Sequence, residues 1–153
     1  MRCWRLTSLL RSSTAFDGEG ARRSGGRWNR VGIPAVYTSE HLPMAALEIL
    51  VHVDPSDLTI KFVAIEIDIP DDALQPVLVD QLPPTWRDLP TPAASRAFGD
   101  AWLQAGSSLG LIIPSAVIPE YRNVILNPRH PAMGRMVEVR RMPFTFDPRL
   151  AGG

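Results

Sequence analysis

The sequence predicts an α+β fold in a single domain spanning residues 1–153. Two observations carry this. Strand candidates outnumber helix candidates and do not alternate regularly with them, which disfavours a parallel α/β sheet. The 153 residues are 45% hydrophobic, enough for one domain with its own core. Mean hydropathy is close to zero, and no apolar run is long enough to span a bilayer, so a membrane partner is not expected.

The elements follow in order. Asp17 to Gly26 reads as a glycine-rich polar loop. Ala35 to Thr38 is a short strand. Ser39 is the expected N-cap of the next helix, and Pro43 falls in its first turn, where a missing N–H does least harm. The helix is expected to run to about Val53, with Leu42, Ala45, Ala46, Ile49, Leu50 and Val53 at helical spacing on one face. Ile60 to Ile69 reads as a strand that places Val63, Ile65, Ile67 and Ile69 inward and Glu66 and Asp68 outward. Pro70 ends it. Val77 to Val79 is a further strand candidate, and residues 80–92 form a proline-rich loop around Trp86. Ala93 to Gln104 reads as a helix with Ala94, Ala97, Phe98, Ala101 and Trp102 on one face, ended by Gly106. Leu109 to Ile113, Asn123 to Leu126 and Arg135 to Arg141 complete the strands, and residues 147–153 read as a tail.

Net charge is zero, which does not favour direct nucleic-acid binding. The charges are unevenly placed. Residues 1–30 hold seven arginines against Asp17 and Glu19, whereas residues 31–100 hold eleven acids against Lys61, Arg87 and Arg96. Lys61 is the only lysine. Two readings fit: a codon bias towards arginine, or N-terminal arginines that grip a phosphate bidentately. The start of the chain lacks the apolar core of a signal peptide, and its one cysteine, Cys3, fits a reducing cytoplasm. One cysteine and three histidines without metal-ligand spacing argue against a structural zinc site.

Phosphate-loop, dinucleotide-binding and nucleophile-elbow patterns are missing. Three other segments stand out: Gly25-Gly26-Arg27-Trp28-Asn29 followed by Tyr37; Ala46-Leu47-Glu48 with His52 four residues on; and Pro114-Ser115 through Asn127-Pro128. Each sets polar groups among glycine, proline or apolar neighbours, as where backbone approaches a ligand. Glu48 is the most informative. Only it and His52 are polar between Leu42 and Val53, and a carboxylate in an apolar setting needs a partner or a use. It is either an internal ion-pair partner or a working group. His52 is either a core histidine or a support for Glu48. Arg27 could stack on Trp28 at the surface, Tyr37 could be an ordinary strand aromatic, and Ser115, Asn123 and Asn127 could be turn residues.

Together these segments resemble the RES family, toxins of bacterial type II toxin–antitoxin modules named for an Arg, a Glu and a Ser. The resemblance runs from Trp4-Arg5 to Asn127-Pro128, with Arg27, Glu48 and Ser115 at the three naming positions, Tyr37 at that of an additional site aromatic, and no departure there. It implies a fold similar to ADP-ribosyltransferases and NAD⁺ as substrate, with no metal. Glu48, Arg27 and Ser115 would be catalytic, and Arg27, Tyr37, Ser115, His52 and Asn127 would bind NAD⁺. It further implies a cytoplasmic enzyme neutralised by an Xre-like helix-turn-helix antitoxin that blocks the cleft, with a protein, water or phosphate accepting ADP-ribose. Two competing readings remain: a non-catalytic binding module built on a buried Arg27–Glu48 pair, and an RNA-cleaving toxin. The neutral charge weighs against the second.

Overall fold

A computed structural model describes residues 1–151. It is α+β, as the sequence predicts: one seven-stranded sheet with three α-helices and short 3₁₀ turns. The strands are β1 (Arg2–Ser8), β2 (Val36–Ser39), β3 (Phe62–Asp68), β4 (Leu74–Pro76), β5 (Gly110–Pro114), β6 (Arg122–Leu126) and β7 (Val137–Phe144). The helices are α1 (Glu19–Ser24), α2 (Leu42–Leu50) and α3 (Ala93–Ala105). The sheet order is β4-β5-β6-β2-β1-β3-β7, and among the described residues only β4 and β5 pair in parallel.

Alternation in β3 decides the layering. Val63, Ile65, Ile67 and Ile69 join Cys3, Val36, Val124 and Leu126 in a core on one face. Phe62 and Ala64 point the other way, into a second core with Leu6, Ala45, Leu58 and Phe146. A strand covered on both faces is apolar at consecutive positions, which explains the unbroken run in the first half of β3. The expected apolar stripe of α2 is the one that packs here: Ala45 is buried, and Leu42, Ala46, Ile49, Leu50 and Val53 lean on the same core. A third core, around Trp28, Trp86, Trp102, Leu111, Ile113 and Ile125, fills the space beneath α3.

Several expectations need correction. Arg2–Ser8 is a strand in the middle of the sheet, although its arginines hide the alternation. The glycine-rich loop contains α1, which begins after Gly18 in the left-handed region at φ 75°. Ser39 does not cap α2. It is the last residue of β2, and His41 takes the N-cap position. The helix ends at Leu50, not Val53. The strand expected at Val77–Val79 lies earlier, at Leu74–Pro76, because the chain turns into a 3₁₀ helix at Val79–Gln81 and leaves Leu78 and Val79 exposed. α3 ends at Gly106 in the left-handed conformation as expected, but it is rotated. It buries Ser95, Gly99, Asp100, Trp102 and Leu103, while Ala94, Ala97 and Ala101 face outward. Of the expected tail, Pro148–Ala151 forms a 3₁₀ turn, and residues 152–153 lie outside the described residues.

Candidate active site

The ladder between β1 and β2 consists of one residue pair, Trp4 opposite Ser39, whereas β1 and β3 pair at seven positions. Where the β1–β2 ladder stops, the sheet opens into a cleft of about 370 Å³. Arg5 of β1, Tyr37 of β2, Arg27 of the loop after α1, Glu48 of α2 and Asn123 of β6 all line it. A strand edge left unpaired must place its polar backbone somewhere. Here the Arg5 guanidinium does part of that work, donating from Nη1 to the Tyr37 carbonyl at 2.8 Å.

Glu48 reaches from α2 across to the β5–β6 side of the sheet. Its Oε1 accepts from the Ser115 hydroxyl at 2.8 Å and from the Asn123 amide at 2.6 Å. Oε2 accepts nothing among the described residues, and no cation forms an ion pair with the carboxylate there. This corrects one alternative: Arg27 and Glu48 share the cleft but are not an ion pair. Arg27 instead donates from Nη1 to the carbonyls of Trp86 at 2.7 Å and Asp88 at 3.2 Å. Burial pulls its pKa below the usual arginine value, against the opposing field of Glu48. The guanidinium stays a cation, anchored by one nitrogen and free to use the rest.

Ser115 is fully buried, and its hydroxyl has a defined direction. Oγ accepts the N–H groups of Val117 at 3.0 Å and Ile118 at 3.2 Å, so its single proton goes to Glu48. It is a positioning group for the carboxylate. Tyr37 has a similar constraint at its far end. Its hydroxyl donates to Asn29 Oδ1 at 2.7 Å and accepts the Trp28 N–H at 3.0 Å. Burial raises the phenol well above its ordinary pKa, so Tyr37 is a neutral aromatic wall and not a base. Asn29, wholly buried, ties the same loop together through the carbonyls of Ala21 and Ile33.

Two expected residues sit differently. His52 lines the cleft but is exposed, past the end of α2. It is no core histidine, and it makes no hydrogen bond to Glu48. Asn127 does not line the cleft. It is buried with its amide on the Leu103 carbonyl at 2.9 Å, pinning the end of α3 to the turn after β6. Asn123 does the work at the cleft instead. Alternation in β6 was the available signal, since Val124 and Leu126 face the first core and Asn123 shares the opposite face with Ile125. Arg5 was missed as a site residue. The signal was a charge between Trp4 and Leu6 with no acid near it in sequence.

Residues 2–147 match the RES domain as a sequence family. The chain belongs to the RES-domain family. Across 98% of its length it is 38% identical to "Toxin Res" of Photorhabdus laumondii, covering 97% of that protein. It is 34% identical to "Prs ADP-ribosylating toxin" of a Sphingobium strain, over 96% of this chain and 94% of that one. Among solved structures, the M. tuberculosis MbcT–MbcA toxin–antitoxin complex contains a similar fold, with a TM-score of 0.78 at 22% identity over 98% of this chain and 86% of that one. Arg27, Glu48 and Ser115 thus lie at or directly behind one cleft.

Proposed function

We propose that this RES-domain protein is the toxin of a toxin–antitoxin pair and that it breaks the bond between nicotinamide and ribose in NAD⁺. One observation carries the reading. The Glu48 carboxylate is held from one side by two neutral donors, carries no counter-cation among the described residues, and faces a cleft that also holds Arg27 and the Tyr37 ring.

The chemistry needs such an arrangement. As the bond from ribose C1′ to the nicotinamide nitrogen lengthens, its electron pair neutralises the pyridinium and positive charge grows on the ribose. A fixed carboxylate stabilises that charge more in the transition state than in the ground state. Glycoside hydrolysis uses carboxylates against a similar cation. Glu48 offers Oε2 to the ribose while Ser115 and Asn123 hold Oε1. Arg27 binds the phosphate attached to that ribose. Tyr37 packs the nicotinamide end with a neutral ring. A nucleophile then attacks C1′. The name of the Sphingobium relative favours a protein side chain, while water or phosphate in that role would deplete NAD⁺. The similarity to the toxin of the MbcT–MbcA complex supports an antitoxin partner, which would act by filling this cleft.

Glu48→Gln is the test. It preserves shape and removes the charge. Purified protein is mixed with NAD⁺ and released nicotinamide is measured. The variant is expected to lose about a hundredfold or more in turnover, the scale of removing one preorganised charge-stabilising group, and to lose growth inhibition with an unchanged circular dichroism spectrum. Near-normal turnover sinks the assignment. Mass spectrometry of the same reactions with lysate identifies the acceptor: a defined adduct on one protein marks transfer, and free ADP-ribose or its phosphate marks depletion.

A further inference from the structure

The cleft at Glu48 is not alone. A second cavity of about 800 Å³ adjoins it. Arg5, Leu6, Ala21, Tyr37 and Ile49 line both, so the two are neighbouring compartments of one groove with Arg5 and Tyr37 at the neck. The Glu48 compartment, at about 370 Å³, lies near the lower end of the roughly 300–1,000 Å³ that small-ligand pockets span. It suits one nucleoside half of a dinucleotide better than the whole.

The larger compartment is basic where it meets the neck. Arg5, Arg11 and Lys61 line it, against Asp57. Among the described residues none of these three cations has an ion-pair partner. Arg5 is the decisive one. Its side chain is half-buried in the wall shared by both cavities, Nη1 is on the Tyr37 carbonyl, and Nε is buried with no hydrogen-bond partner among the described residues. Burial weighs most against the Arg5 charge; the field of Asp17 supports it, and the like charge of Arg11 opposes it. A buried guanidinium without a carboxylate is unfavourable unless an anion completes it. Beyond the cations, Val53, Ile60 and Phe62 supply an apolar wall suited to a flat base.

We propose that this second compartment is the subsite for the ADP half of the dinucleotide: Arg5 at the neck and Arg11 beyond it receive the pyrophosphate, Lys61 stands over the far phosphate and ribose, and the apolar wall takes the base. The assignment rests on the NAD⁺ reading above, and it names where the non-reacting half goes. Binding energy from that half is then available to position the ribose against Glu48. It also gives a role to the only lysine in the chain.

Calorimetry with ADP, which has no bond to cleave, tests the subsite without relying on turnover. Wild-type protein is expected to bind ADP. The Arg11→Ala/Lys61→Ala double variant, altered only at exposed side chains, is expected to bind it at least about tenfold more weakly, with an unchanged melting temperature without ligand. Failure of the wild type to bind ADP, or equal binding by both proteins, overturns the subsite. Turnover supplies a second readout. The ratio of kcat/KM for NAD⁺ to that for nicotinamide riboside is expected to fall about tenfold in the double variant, and an unchanged ratio overturns the proposal. A wild type that binds ADP but releases no nicotinamide from NAD⁺ would defeat the NAD⁺-cleavage reading and leave the nucleotide subsite standing.

Discussion

At the scale of single residues, the site is defined by which atoms are already engaged. Ser115 illustrates this. Its hydroxyl takes two backbone N–H groups and gives its proton to Glu48, so it acts on the reaction only through the carboxylate. Hydrogen bonds to charged groups contribute about 1.5–3 kcal/mol. If the bond to Glu48 strengthens no more than this as charge develops, Ser115→Ala lowers kcat by roughly ten- to a hundredfold. KM for NAD⁺ stays within about twofold, because Arg27 and the groove still hold the substrate. Steady-state nicotinamide release separates the two constants. A rise in KM at constant kcat would instead make Ser115 a binding group. Glu48 was legible in sequence because a lone carboxylate in an apolar helix is anomalous. Asn123 was less so, since an asparagine at the start of a strand has an ordinary explanation as a turn residue. Arg5 carried only the weak signal of a charge between Trp4 and Leu6, because the cleft whose wall buries its Nε is assembled from other segments of the chain.

At the scale of elements, legibility followed periodicity. β3 and α2 carry their patterns in full, and both packed on the expected faces. β1 did not, because Arg2 and Arg5 interrupt a short strand whose partners lie some sixty residues away. α3 has the right ends and the wrong expected face, and the reason is Gly99. A Cβ there would lie 1.9 Å from the Trp28 carbonyl oxygen, so the helix backbone rests directly on the loop that carries Arg27. Next to it Asp100, almost fully buried, accepts the Arg30 N–H at 3.0 Å and pairs with its guanidinium. A close approach at glycine and a buried acid outweigh an alanine stripe with little area to bury. The consequence is testable. Gly99→Ala must lift α3 from the loop, an overpacking that costs at least about 2 kcal/mol, or about 4–8 °C in melting temperature for a chain of this size. It should also weaken NAD⁺ binding, because Arg27 is anchored through Trp86 and Asp88 in the same region. An unchanged melting temperature would show that the helix does not rest on that carbonyl. Ala97→Gly, on the exposed side of the same helix, should cost no more than about 1 kcal/mol.

At the scale of the whole molecule, the seam between β1 and β2 organises everything else. One side of it is the β4-β5-β6-β2 block with Ser115 and Asn123, the other is β1-β3-β7, and α2 with Glu48 packs across both strands at the seam. A ladder of one pair is the least secured joint in the sheet, and the groove that would hold a dinucleotide opens along it. The single cysteine of the chain reports on this joint. Cys3 is fully buried in β1, against Thr38 of β2, and burial pushes its thiol from 9.0 up to about 12. The folded state therefore keeps the proton. That contribution to stability is fully present below about pH 9 and is lost as pH rises through about 12. In the closed molecule at pH 8 almost no reactive thiolate exists, so labelling of Cys3 must pass through opening of the strands around it. Iodoacetamide labelling followed by mass spectrometry is expected to be far slower than in denaturant. If opening separates β1 from β2, a ligand spanning the groove must dissociate first, and ADP-ribose at a hundred times its Kd stabilises the closed form by about 2.7 kcal/mol, slowing labelling roughly a hundredfold. Labelling that is slow but indifferent to ADP-ribose would mean that Cys3 is exposed by unfolding elsewhere. Labelling slowed by ADP-ribose in the wild type, but much less in Arg11→Ala/Lys61→Ala, would tie closure of the seam to the same cations that line the second compartment.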